Sequence, residues 1–481
     1  MYKFIRPWGI SQWRRVPVLF AVLVLFLLVV LSLDGLQLHT RFRDYLSECK
    51  AHAADATRHD APPEYNLETY ESPFCAERFG RKYLEGLSNT TTGYCTPDSL
   101  TNLTCFHSQT SSDSRVDSFC FGRSAVFDDT DGKFNVGCEL RRLTPNETSR
   151  GTPEFTALSS YWYDTGPRVV FDRVVKMDNN MEAPASTTNY TILIKREGPY
   201  NLWHSLMEIW SLTMTLDVLR MTSDSVEDAP FFTLGDVENT QILMLDDEEE
   251  GPYFDLWTLF AKRPVVRLND MSGSTKFENI IVPLAGASNP LWQGDWETHT
   301  CEGSNLLRTF THRVLSFYKI DAWAPHEGDL VLTLIDRKES RRLIDCQSFL
   351  EELKAKLPHL KIQIIDFATI SFAEQLRIVR ETDVLVGVHG AGLTHGMFLR
   401  EGSVIVEILP DDLNHKGFRN LAGLVGSTYL STHASKRPES ENKRDDWHWG
   451  DVFLEKERFM DLMEVAVKVL YNTGSRNYDV N

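Results

Sequence analysis

The chain has 481 residues, is 42% hydrophobic and 25% charged, and carries a formal net charge of −18. That profile belongs to a globular protein with room for two domains and excludes a disordered one. An acidic chain offers no basic field to displace phosphate counterions, which excludes a nucleic-acid partner.

Lys3, Arg6, Arg14 and Arg15 precede the first acidic residue, Asp34, and Val16 to Leu33 carries no charge. As a helix that run spans about 27 Å, enough for a bilayer core. The basic flank sets the N-terminus in the cytosol and the rest in the lumen of the Golgi or ER. The expectation is a cytosolic tail over 1–15 and a single-pass, type II signal anchor over 16–33. A cleaved signal peptide is the competing reading, and Ser32-Leu33-Asp34 suits it poorly because cleavage needs small residues. Eight cysteines, Cys49, Cys75, Cys95, Cys105, Cys120, Cys138, Cys301 and Cys346, include no Cys-x-x-Cys pair. In an oxidising compartment they read as disulfides, with the pairing open. Glycosylation sequons follow at Asn89, Asn102, Asn146 and Asn189.

Residues 34–65 read as a stem, because Ala51 to Pro63 has no apolar period. Residues 66 to about 160 are rich in Cys, Ser and Thr and read as an irregular, disulfide-stapled cap on a first domain over 66–325. Within it, strands are predicted at Thr191–Ile194, Phe231–Leu234, Gln241–Leu245, Val265–Leu268 and Phe277–Val282. Helices are predicted at Leu202–Met221 and Tyr253–Phe260. A second domain over 326–450 alternates strands at Leu330–Ile335, Ile362–Phe367, Val384–Val388 and Val404–Ile408 with helices at Cys346–Leu357, Phe372–Arg380 and Leu393–Leu399. Continuous apolar strands between amphipathic helices mean a parallel sheet covered on both faces. A last helix, Glu455–Leu470, within 451–472, must dock its apolar face on the core. The fold class is therefore α/β, with two Rossmann-like domains facing a cleft.

Open α/β sheets bind ligands beyond the carboxyl ends of their strands, so residues just after strands are the candidates. His389-Gly390-Ala391-Gly392-Leu393-Thr394 follows a strand and opens a helix, a place where backbone N–H groups attract anions. A tight structural turn is the plainer alternative. Arg337 and Arg341 follow Leu330–Ile335 and can fork to phosphate oxygens, unless the run Asp336 to Arg342 is a solvated loop. Asn201, His204 and Glu208 recur at helical spacing. A histidine and a carboxylate on one face can take a proton from a hydroxyl; a buried polar patch is the alternative. Glu407, inside an apolar strand, needs a partner, either a ribose hydroxyl or an internal arginine.

Taken together, Arg337, Arg341, the segment Asp383 to Thr394, Phe398-Leu399, Val406 to Pro410 and Asn201-x-x-His204-x-x-x-Glu208 resemble glycosyltransferase family 61 over about residues 190 to 435. The resemblance implies a GT-B-like fold, an inverting reaction and a UDP-sugar donor, N-acetylglucosamine or xylose. It makes 66–325 the acceptor side and 326–450 the nucleotide-sugar domain. Arg337, Arg341 and His389 to Thr394 would then meet the donor phosphates, with Glu407 near the nucleoside. His204 or Glu208 would be the base toward a lumenal glycoprotein or glycan, with Asn201 beside them.

No cofactor is required. Asp129-Thr130-Asp131 sits in a polar turn, and Asp246 to Glu250 reads as a solvated loop, metal binding there being the minority alternative. A non-catalytic sugar- or nucleotide-binding scaffold on the same fold is the rival function. Loss of the donor arginines would favour it, and they are present.

Overall fold

The computed structural model describes residues 61–66, 72–108, 116–178, 189–224, 229–324, 328–435 and 447–472. The expected anchor Val16–Leu33 and Cys49 lie outside them. Among the described residues no helix is long and apolar enough to cross a membrane.

The apolar runs become strands of two large sheets. The first has nine strands, β1 (Thr91–Gly93), β2 (Leu103–His107), β3 (Ser118–Asp128), β4 (Lys133–Val136), β5 (Val175–Met177), β6 (Tyr190–Ile194), β9 (Thr240–Met244), β10 (Val266–Arg267) and β11 (Thr275–Val282). Between β6 and β9 the short pair β7 (Ser223–Asp224) and β8 (Ala229–Pro230) forms a separate ribbon. The main path runs β1-β2-β3-β11-β6-β9-β10. Strands β11, β6, β9 and β10 are parallel, and β3 joins β11 antiparallel.

The region expected to be an irregular cap is thus partly regular. Its strands β2 and β3 extend the main sheet, and Cys105–Cys120 bridges partners in their register. These strands, interrupted by Cys, Ser, Thr and Gly, escape a search for apolar periodicity because cross-strand neighbours and burial, not propensity, hold them. Two further disulfides join Cys95 to Cys138 and Cys75 to Cys301, and Cys346 has no disulfide partner among the described residues.

The second sheet is wholly parallel. Its strands are β12 (Leu330–Ile335), β13 (Leu360–Ile365), β14 (Val384–Val388), β15 (Val404–Leu409) and β16 (Thr428–His433), in the order β13-β12-β14-β15-β16. Every residue of β12, β14 and β15 is buried, whereas the edge strands β13 and β16 are partly exposed. On one face Val384, Val386 and Val388 pack with Phe459, Met463 and Val467 of the last helix, Lys456–Asn472. On the other, Leu385 and Ile405 join a core cluster that also holds the helix Leu202–Met221.

That helix begins on an Asn201 cap, whose side chain accepts from Trp203 N–H, and every residue but Arg220 is buried. A helix apolar all round has to be enclosed on all sides. Here its aliphatic residues share one core with the mixed sheet and with the lower face of the parallel sheet. Tyr65, placed by sequence at the end of the stem, is buried against it and donates to Asp217 at 2.5 Å. Arg313 holds the same carboxylate at 2.7 Å.

Three sequence expectations change type. Phe231–Leu234 is not a strand: both phenylalanines are buried against rings of β2, β3 and β6, and a Thr233–Asp236 capping box then opens a 3-10 turn. Tyr253–Phe260 and Leu393–Leu399 form 3-10 turns over Phe254–Leu259 and Ala391–Phe398. The strand β16 and the helices Asn305–Phe317 and Gly417–Val425 are additions.

Candidate active site

In the order β13-β12-β14-β15-β16 the chain leaves β12 toward one side and β14 toward the other. The crevice beyond their carboxyl ends is the switch point where such sheets take ligands. Arg337 lies just after β12, and His389 directly after β14. Gly390 has φ 149°, and a Cβ there would lie 2.7 Å from Arg337 Nη1 and 3.0 Å from Arg341 Nη2. Both guanidinium groups therefore close over the Gly390 backbone, and glycine leaves room for them.

The charged run Asp336 to Arg342 divides its work. Lys338 pairs with Asp336 at 2.5 Å and Arg342 with Asp451 at 2.6 Å, at the surface. Arg337 turns inward, donating from Nε to the Ser340 carbonyl at 2.9 Å, and makes no ion pair among the described residues. Burial alone pushes its pKa below the ordinary arginine value. Arg341 holds a left-handed φ of 53°, and its guanidinium carbon stands 5.6 Å from the centre of the Trp447 ring. Non-glycine residues in that region are strained, and such strain gathers at functional sites. A cavity of about 310 Å³ opens here, lined by Arg337, Arg341, Asp345, Cys346 and Val388 among others.

The remaining donor-side candidates part company. Leu393 and Thr394 are fully buried, away from the crevice. Ala391 and Gly392 are part-exposed. Glu407 is fully buried, with His389 Nδ1 at 2.5 Å from Oε1 and the Tyr429 hydroxyl donating to Oε2 at 2.5 Å. Its partners are thus a histidine and a tyrosine, and it meets the crevice through His389. Burial pushes the His389 pKa down against the pull of Glu407.

The mixed sheet has a switch point of its own, between β6 and β11. Glu197 follows β6, and Gly286 and Ala287 follow β11. Glu197 Oε1 accepts from Thr165 Oγ1 at 2.7 Å and from Ala287 N–H at 3.2 Å, while Oε2 is buried without a partner. The Glu197 N–H donates to Glu208 Oε1 at 2.7 Å, and the Glu197 carbonyl accepts from His204 Nδ1 at 2.7 Å. A carbonyl can only accept, so Nδ1 carries the proton and Nε2 keeps its lone pair. Burial holds His204 below its ordinary pKa and therefore neutral. Burial also raises Glu197 to about 7 and lifts Glu208 well above the carboxylate range, where the charge of Glu197 lifts it further. Gly286 is required behind them, since a Cβ there would lie 2.6 Å from Glu208 Cγ.

The two ends meet through rings. Trp203, next to His204, lies 5.4 Å from Phe418, which lies 5.5 Å from His389. Asn420 also holds the carbonyls of Gly294 and Glu297, at 3.0 and 2.7 Å. Asn201 is spent on capping the helix.

Sequence reasoning missed Glu197, Tyr429 and Trp447. Glu197 stands just after a strand, the rule that selects Arg337; Trp447 lies in a stretch without any period. Asp129-Thr130-Asp131 forms the exposed β3–β4 turn. The run Asp246 to Glu250 is solvated from Asp247 onward, but Asp246 is drawn inside by Arg196 at 2.7 Å. Among the described residues no group of three or more His, Cys, Asp or Glu is placed to hold a metal ion.

Residues 202–406 match the family model described as Glycosyltransferase 61. Over that stretch the chain is similar to the glycosyltransferase 61 family. The matched span runs from the start of the His204 helix into β15, and so takes in His204, Glu208, Arg337, Arg341 and His389, while Glu197 and Glu407 lie just outside it. The chain is 29% identical over 249 residues to the EGF domain-specific O-linked N-acetylglucosamine transferase of Drosophila melanogaster, covering 50% of this chain and 44% of that protein. It is 25% identical over 267 residues to the Canis lupus familiaris protein of that name, covering 53% and 46%. The match to the Xenopus laevis protein is 31% over 134 residues, 27% of this chain and 25% of that one. This chain thus spans less than half the length of the curated relatives it matches.

Proposed function

We propose that this protein is an inverting glycosyltransferase that moves N-acetylglucosamine or xylose from a UDP-sugar to a hydroxyl of a glycoprotein or glycan. The observation that carries the reading is the closure of Arg337 and Arg341 over Gly390 at a sheet switch point. Two half-buried guanidinium groups there favour a diphosphate leaving group. The match to the family model supports glycosyl transfer, and the names of the relatives support N-acetylglucosamine among the donors. The paired sheets, with a crevice served from both, fit a GT-B-like arrangement. The sequence supports a type II Golgi or ER protein with Val16–Leu33 as its one membrane helix, and the disulfides suit that lumen.

In this mechanism the acceptor oxygen gives its proton to His204 Nε2 as it attacks the anomeric carbon. The bond from that carbon to the diphosphate oxygen breaks, and the electron pair leaves with UDP. Arg337, Arg341 and the opening N–H groups of the Ala391–Phe398 turn take the growing negative charge. His204 rather than Glu208 is the base, because Glu208 is spent on the Glu197 N–H. Glu208 fixes the Glu197 peptide, whose carbonyl sets the His204 tautomer. His389 lines the crevice, oriented by Glu407.

Arg341→Ala is expected to abolish UDP binding measured by calorimetry. His204→Ala is expected to keep UDP affinity and lose transfer about 100-fold or more, the scale of general-base loss. Arg341→Ala with native UDP affinity contradicts the donor assignment. UDP binding with no turnover of any UDP-sugar leaves the scaffold function instead.

A further inference from the structure

Beside His204 stands a loop that holds two large rings in water. Tyr161 and Thr165 pair as an antiparallel bridge, with residues 162–164 at the tip. Tyr163 (φ 59°) and Asp164 (φ 57°) are both left-handed. L side chains rarely take that conformation, and two in succession persist only where the surroundings impose it. The surroundings do so here. Tyr161 donates to Asp117, Thr165 Oγ1 to the Trp162 carbonyl at 3.1 Å and to Glu197, and Lys195 Nζ to the Tyr163 carbonyl at 3.2 Å. The outcome is that Trp162 is 55% exposed and Tyr163 56% exposed.

These rings continue a slot around the imidazole. The Tyr163 and Trp292 rings lie 4.6 Å and 4.5 Å from the His204 ring. Trp162 lies 6.5 Å from Trp292 with only 27° between their planes. His204 is recessed between them, 9% exposed, and its Nε2 makes no hydrogen bond among the described residues.

We infer that Trp162 and Tyr163 form an acceptor-sugar platform, so that the acceptor is itself a glycan whose pyranose ring lies on these rings and points one hydroxyl at His204 Nε2. The inference rests on the transferase reading above. A pyranose has an apolar C–H face and a hydroxyl-bearing rim. The negative face of an aromatic ring attracts polarised C–H groups, while the rim stays free to enter the slot. A serine or threonine hydroxyl sits close to its own backbone, so a polypeptide would have to seat that backbone on the exposed rings to reach a recessed base.

The test uses the full chain, with saturating UDP for the binding measurements and UDP-N-acetylglucosamine or UDP-xylose as donor for the transfer measurements. Methyl α-mannoside, methyl β-galactoside, methyl β-xyloside and a threonine-containing peptide are compared by saturation-transfer NMR and as acceptors. At least one glycoside is expected to receive saturation at its ring protons and to accept sugar. Trp162→Ala should raise the KM for that acceptor about tenfold, the scale of one stacking contact, with kcat within about twofold. Trp162→Phe should restore most of the loss. Peptide acceptance without any glycoside binding overturns the platform, as does an unchanged acceptor KM in Trp162→Ala. UDP affinity is measured separately: a native protein that does not bind UDP refutes the donor reading instead.

Discussion

Gly390→Ala tests the donor crevice without touching a charge. The new Cβ would stand 2.7 Å from Arg337 Nη1 and 3.0 Å from Arg341 Nη2. Comfortable contact lies near about 3.5 Å, so both groups must withdraw by roughly half an ångström or more. A hydrogen bond to a charged group contributes about 1.5–3 kcal/mol, and the shift removes about one such bond from a bound diphosphate. At about 1.4 kcal/mol per decade, the Kd for UDP should rise about 10- to 100-fold. The backbone conformation, φ 149°, adds strain of about 1–3 kcal/mol to the folded state, so Tm should fall by a few degrees while the protein still folds. Titration calorimetry with UDP, run beside a thermal melt, reads both effects. A folded Gly390→Ala protein whose UDP affinity stays within about twofold of the native value would refute the idea that the two arginines serve one ligand.

Other expectations concern stability and pH. Glu197 is raised to about 7 by burial, against about 4.3 in an unfolded chain. Between those values the folded protein keeps a proton that the unfolded chain has released. Its contribution to stability is therefore complete below about pH 4.3 and is lost as pH rises through about 7. Glu197→Gln should flatten the fall of Tm across that window; equal slopes in variant and native protein would count against the burial. Cys75–Cys301 closes a loop of sequence separation 226, and Cys301→Ser should cost about 5 kcal/mol by chain entropy, read by denaturant unfolding. Tyr429→Phe should cost about 1–3 kcal/mol by leaving Glu407 Oε2 buried and unpaired, and an unaltered melt would show that another group takes its place.

Much of the α/β core is legible because its signals are local. The helix Leu202–Met221 has an asparagine cap and a long apolar run, and β12 and β14 are uninterrupted Val, Leu and Ile between polar turns. The strands β2 and β3 are not legible in that way. Their Cys, Ser and Thr residues pair through a disulfide and through partners far along the chain. Phe231 and Phe232 look like a strand because they are apolar, yet they bury themselves against rings without pairing. In the site, Arg337, Arg341 and Gly390 are found by their place after strands. Glu197 obeys the same rule but hides in the charged sequence Lys195-Arg196-Glu197. Glu407 announces a partner without naming it, because His389 and Tyr429 reach it only through sheet register.

Tyr65 carries a practical corollary for anyone trimming the protein to a crystallisable piece. A version begun at Pro73 would drop the phenol that plugs the Asp217 and Arg313 pocket, opening a greasy socket beside a charged pair, one member of which, Asp217, stands on the very helix whose first turn presents His204. The shortest safe boundary is therefore at or before Ala61, and a shorter piece that aggregates or loses activity would say nothing about the catalytic residues themselves.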